Sequence, residues 1–286
     1  MRRPRRRGGA AVGYTPVVTS GLPAHPRPVT FASDGLTLSG LLYLPAGEPA
    51  GSLVVCHGAA SRKENHVLMG EQAADAGLAA LLFDFRGHGA SEGAMDPDGW
   101  HDAAAAAEVL LELSAAPWVA ARGASMGGCM LLLAARAHPG LFGSLVALCP
   151  ADGPSLLAGL DGLERRSEWA ARVAAEAGPS AAPDAGAGAP EADYRGRFDT
   201  AALRPFLERL DLTDVACGMP RVLLAHARDD DAVPFAHSER LAAVLAPPAR
   251  FIVLESGGHH GPGRSPEVAR ATLAWVTANA PGAGRA

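Results

Sequence analysis

The chain has 286 residues, 48% of them hydrophobic, enough for one large α/β domain or two small ones, and no stretch reaches the ~18 consecutive apolar residues of a membrane span. Its net charge of −5 includes Arg2, Arg3, Arg5, Arg6 and Arg7, so the remainder carries −10, a sign that repels nucleic-acid phosphates. Four cysteines with no CxxC or Cys/His cluster exclude a disulfide framework and a zinc site, and no cofactor is implied.

In chain order, residues 1–27 read as a disordered, solvated Arg-rich tail. A twin-arginine export signal needs an apolar segment behind the arginines, and Gly8, Gly9, Gly13, Pro16, Gly21, Pro23 and Pro26 interrupt any such run. The expected location is the cytoplasm. Residues 28–33 and 36–44 then read as strands joined by a turn at Asp34-Gly35. The apolar run 52–56 suits a strand buried on both faces, and 79–85 suits another after a helix over 65–77. A helix is predicted over 102–114, a short strand over 118–121, a helix from Ser125 to His138 and a strand over 145–148. The rhythm breaks at 151–205, with an amphipathic stretch around Leu163, Trp169 and Val173 and a Gly/Ala/Pro-rich segment at 178–190 that reads as a loose loop. It resumes with a strand at 222–225, a helix near 236–246, a strand at 251–254 and a helix at 265–279. Alternation of this kind predicts a mostly parallel sheet with helices on both faces. The core is expected over 28–150 and 206–280, with 151–205 as a short helical cap whose apolar stripe either lines a pocket or covers the core.

Three segments carry chemistry. Gly123-Ala124-Ser125-Met126-Gly127 is a G-x-S-x-G pattern between a predicted strand and a predicted helix, where a sharp turn lifts the serine Oγ above the sheet. Serine needs a base to take its proton, and the base needs a carboxylate to hold its tautomer. Downstream, Asp229-Asp230-Asp231-Ala232-Val233-Pro234 follows one predicted strand, and Gly257-Gly258-His259-His260 follows the last. Both loops sit at carboxyl ends of strands, where sites of open α/β sheets gather. Three aspartates and two histidines thus compete for the roles of acid and base.

With Cys56-His57-Gly58-Ala59 after the first buried strand and Asp84-Phe85-Arg86-Gly87-His88-Gly89-Ala90-Ser91 after the second, the chain resembles the α/β-hydrolase superfamily over about residues 28–280. In motif it is similar to small serine carboxylesterases of the feruloyl or cinnamoyl esterase kind and to dienelactone-hydrolase relatives, which carry cysteine where this chain has Ser125. The resemblance implies a three-layer α/β-hydrolase fold and a small-molecule ester substrate. It makes Ser125 the nucleophile, Asp230 the acid (through D-x-x-V-P) and His259 the base, with backbone N–H groups of Ala59 and Met126 as the oxyanion hole. His57, His88 and His226 are expected to brace loops or pack, not to transfer protons, and no metal is expected on the aspartates. Thioesterase, acyltransferase, amidase or C–C hydrolase chemistry would use the same residues, and a non-catalytic binding protein on this fold would need none of them.

Overall fold

Buried strands in the centre of a parallel sheet have no polar face, so they appear as uninterrupted apolar runs. Five strands buried almost end to end, two of them wholly apolar and the others broken only by Ser52, Arg122 and His226, form the middle of one eight-stranded sheet in the computed structural model, which describes residues 25–177 and 197–281, without side chains over 166–177. In chain order the described elements are β1 (Arg27–Ser33), β2 (Leu36–Tyr43), β3 (Gly51–Cys56), α1 (Val67–Asp75), β4 (Leu78–Phe83), α2 (Trp100–Ser114), β5 (Val119–Ala124), α3 (Met126–Ala137), β6 (Leu145–Leu148) and α4 (Gly153–Ala177). They continue with α5 (Thr200–Arg209), α6 (Leu212–Ala216), β7 (Val222–Ala227), α7 (Phe235–Val244), β8 (Ala249–Leu254), α8 (Gly261–Arg264) and α9 (Pro266–Ala278).

The strand order is β1-β2-β4-β3-β5-β6-β7-β8. The first two strands pair antiparallel at one edge, and from β4 onward every pairing is parallel. Two apolar clusters flank the sheet. One gathers Met69, Ala73, Val268 and Val276 from α1 and α9 against Leu53, Leu82 and Leu223. The other packs Leu110, Met130, Leu131 and Leu241 from α2, α3 and α7 against Val54, Leu81 and Leu224. This is the expected three-layer α/β fold. Among the described residues no helix is long and apolar enough to cross a membrane.

Differences from the sequence expectation have local causes. The strand expected to stop at residue 121 runs on to Ala124, because Arg122 and Gly123 are paired on both sides, with Val55 and Cys56 of β3 and Val146 and Ala147 of β6. Ladder bonds from two neighbours override poor strand propensity. The strand expected to reach residue 85 stops at Phe83, where Asp84 turns off to meet Lys63. The helix expected from residue 65 begins with a 3-10 turn over Lys63–His66 before α1. Helices α5 and α6 were not anticipated. Helix α5 holds Pro205 in its interior and runs across the 205–206 boundary, with Asp199 accepting from the Ala202 N–H at its N-cap. Tertiary contacts hold it: Arg204 bridges to Asp161 and Glu164 of α4. The Arg-rich segment 1–24 and the Gly/Ala/Pro-rich segment 178–190 lie outside the described residues, as do the side chains of Trp169 and Val173.

Candidate active site

The turn from β5 to α3 takes place within one residue. Ser125 adopts φ 53° and ψ −120°, a conformation that L-residues with a Cβ rarely hold and that persists only where the surroundings over-determine it. The two flanking glycines are required by close approach. A Cβ on Gly123 would strike the carbonyl of Gly127, and a Cβ on Gly127 would strike the backbone carbonyls of Cys56 and His57. The elbow is pinned by Ser125 N–H donating to Leu148 O at 2.9 Å, while Ser125 O accepts from Cys129 N at 3.1 Å and Ala151 N at 3.1 Å. Met126 opens α3, so its N–H has no carbonyl one turn back within the helix and is available to an oxyanion.

Asp230 and His259 come together from the loops after β7 and β8. His259 Nδ1 lies 2.8 Å from Asp230 Oδ2, and the Asp230 side chain is fully buried. His226 Nε2 approaches the same Oδ2 at 3.0 Å, while Ala232 and Val233 N–H donate to Oδ1 at 2.9 Å each. Burial alone would raise the Asp230 carboxyl. The hydrogen bonds from His226, His259 and Val233 outweigh it and hold the group well below its usual range. The opposite balance acts on His259: burial disfavours its cation, but Asp230 and the neighbouring Cys149 raise it above the ordinary imidazole range. Ser125, His259, Ala59 and Met126 line one cavity of about 250 Å³, so the proposed base and nucleophile face the same space. Among the described residues no hydrogen bond joins Ser125 Oγ to His259.

The competing residues separate clearly. Asp229 accepts from the N–H groups of Gly257 at 3.1 Å and Gly258 at 2.8 Å, so it clamps the backbone just ahead of His259. Asp231 is exposed, and His260 is exposed and off the cavity wall. Gly257 and Gly258, at φ 129° and 59°, make the tight turn that aims the first of the two histidines inward.

The histidines expected to brace loops do so. His57 is buried, accepts the Phe85 N–H at Nε2 (3.1 Å) and therefore carries its proton on Nδ1, 2.7 Å from Gly58 O. Burial and the neighbouring His88 keep it neutral. His88 Nδ1 meets Arg86 O at 3.1 Å, and His226 is held between Ser238 and Asp230. In the D-x-R-G-H-G-x-S segment, Asp84 binds Lys63 through its backbone N–H and its ammonium at 2.8 and 2.6 Å, fixing the loop that carries Ala59.

Sequence reasoning missed four supports: Lys63, the Asp229 clamp, the bond from His226 to Asp230, and Cys149, whose thiol donates to His259 O at 3.3 Å. The single lysine of the chain was a visible signal for the first. Cys149, Asp230 and His259 form the one group of metal-type donors among the described residues, with ligand atoms within 4.8 Å of one another. Those atoms are already engaged in the bonds described above.

Sheet order, elbow and loop placement define the α/β-hydrolase fold. A family model described as alpha/beta hydrolase fold matches residues 51–182, and esterases are among the proteins of like structure. Est1E from Butyrivibrio proteoclasticus, with ferulic acid bound, is 19% identical at a TM-score of 0.66, over 88% of this chain and 98% of that one. A dienelactone hydrolase from Anabaena variabilis is 18% identical at a TM-score of 0.57, over 91% of this chain and 100% of the other. In sequence, an uncharacterized protein of Mycobacterium tuberculosis is 28% identical over 255 residues, 88% of this chain and 78% of its own length. The fold and the family match support a hydrolase in general terms.

Proposed function

We propose that the chain is a serine hydrolase that cleaves a carboxylic ester through an acyl-enzyme intermediate. One observation carries the reading: a buried Asp230 holds His259 at 2.8 Å by Nδ1, leaving Nε2 for the cavity that Ser125 enters from a strained elbow. Asp230 keeps the proton of neutral His259 on Nδ1, so Nε2 is the basic nitrogen. Nε2 takes the Ser125 proton as Oγ bonds to the acyl carbon, and the carbonyl oxygen becomes an oxyanion facing the N–H groups of Met126 and Ala59. His259 then gives that proton to the alkoxide as the C–O bond breaks and the alcohol leaves. Water repeats the sequence on the acyl-enzyme, its proton passing through His259 to Ser125 as the acid is released. A site on a strained turn with a pinned acid–base pair is also what a binding protein has no need to maintain.

The test is labelling by a fluorophosphonate probe together with turnover of a panel of aryl and alkyl esters. Ser125→Ala is expected to abolish labelling and lower kcat by at least ~10³-fold, the scale of losing a triad member. Labelling that persists in Ser125→Ala would sink the assignment.

A further inference from the structure

The cavity that Ser125 and His259 enter is walled from both sides. The sheet side contributes Met126 and Met130 of α3, and the cap side contributes Leu156, Leu160 and Leu163 of α4 with Leu203 and Leu207 of α5. Among the described residues, the polar side chains on this wall are Ser125, His259 and Ser155, and none is an acid, lysine or arginine. Ser155 is already committed, since its Oγ donates to Asp152 Oδ1 at 2.5 Å. The first two belong to the chemistry. Among the described residues, therefore, the wall offers little that could replace the water around a phenol or a second carboxylate. Its methionines, unbranched and soft, follow a flexible apolar guest more readily than they fix a rigid one.

We infer that the acyl group taken here is an unsubstituted aliphatic chain and not a hydroxylated aryl one. This rests on the serine-esterase reading and adds the substrate class to it. Each methylene moved from water into such a wall is worth about fourfold in affinity. A feruloyl group would bring a hydroxyl that, among the described residues, finds Ser155 as its lone side-chain partner outside the reacting residues, a mismatch that an apolar pocket rejects by up to about 100-fold. The site is thus distinguished from the ferulic-acid-bound Est1E in what it accepts, although the folds agree.

Two series of probes separate this inference from the reading it rests on. Straight-chain methyl ketones of 2 to 12 acyl-side carbons, applied to the intact protein in a thermal-shift assay, report binding without chemistry; p-nitrophenyl esters of the same chains and a feruloyl ester report turnover. Tm is expected to rise with ketone length. The ester kcat/KM is expected to rise about fourfold per methylene from acetyl to hexanoyl, with feruloyl at least tenfold below hexanoyl. Gly159 lines the cavity, and a Cβ there meets nothing within 4 Å, so Gly159→Trp is expected to flatten both length dependences. Length-independent ketone binding, or feruloyl above hexanoyl, overturns the inference even if esters are cleaved. Length-dependent ketone binding with no ester cleaved and no fluorophosphonate labelling upholds the pocket and overturns the hydrolase reading.

Discussion

Asp229 and Asp230 are adjacent in one loop, yet they hold the histidine loop in different ways. Asp230 binds the imidazole of His259, and Asp229 binds the two backbone N–H groups before it. Asn in place of Asp230 presents an amide that can favour the wrong tautomer, so Asp230→Asn is expected to lower kcat by about 10⁴-fold. Asp229→Asn keeps one oxygen acceptor for the loop and is expected to cost only about tenfold, and Asp231→Asn, at an exposed side chain, close to nothing. Steady-state kinetics of the three variants reads the order directly; equal losses would mean the acid is misassigned. The raised His259 imposes a pH dependence. The base works only when neutral, so kcat/KM is expected to rise with pH, with an inflection above the ordinary value of about 6.5. His226→Ala removes a donor to Asp230 that competes with His259, and Asp230→Asn removes the attraction itself, so the inflection should fall in the second variant. In stability the sign is reversed. The protonated form is favoured in the folded state, so the Asp230–His259 pair contributes fully below pH ~6.5 and its contribution is lost as pH rises through the raised value.

At the scale of elements, the elbow is built by contact between β3, β5 and the start of α3. Gly127 faces the carbonyls of Cys56 and His57 so closely that a methyl group has no room. Gly127→Ala is therefore expected to lower stability by about 1–3 kcal/mol, as overpacking does, and to displace the Ser125 loop. Gly159, also helical, has open space at its Cβ, so Gly159→Ala is expected to gain up to about 1 kcal/mol from helix propensity. Denaturant unfolding of the pair checks the contrast, which would fail if both substitutions had the same sign. The strand–helix rhythm and the elbow could be recognised from residues alone because their periodicity and glycine spacing are local. The α5 helix could not, because its interior proline speaks against a helix and its support is the bridge from Arg204 to α4.

Across the whole molecule, Arg86 joins parts distant in the chain. Its guanidinium meets the buried Asp102 of α2 at 2.7 Å, Asp34 of the β1–β2 turn at 2.8 Å and Asp96 at 3.0 Å. Removing the guanidinium leaves the fully buried Asp102 carboxylate without its counter-charge, held only by Ser33 Oγ and the backbone N–H of residue 86, so Arg86→Met is expected to cost about 3–5 kcal/mol. In a domain of this size that is a fall in Tm of roughly 10 °C. A Tm within about 2 °C of the parent chain would show that the remaining hydrogen bonds satisfy Asp102. The expected readout is stability, because none of these four residues lines the cavity.

The sequence by itself determined the layered α/β architecture, the elbow at Ser125 and the two loops that carry the proposed acid and base. Each is written in short stretches: an apolar run for a strand buried on both faces, paired glycines for a turn without room for a Cβ, polar residues just beyond a strand's carboxyl end. Residue spacing alone left Asp229, Asp230 and Asp231, and His259 and His260, open; the family resemblance pointed to Asp230 and His259, and the tertiary structure brings these two together at 2.8 Å. Neighbouring side chains in a loop differ in direction, and direction is set by what the loop packs against. The same holds for the roles of Lys63, His226 and Cys149, whose partners lie 21, 4 and 110 positions away, and for the apolar cavity, which exists only where α3 meets the cap.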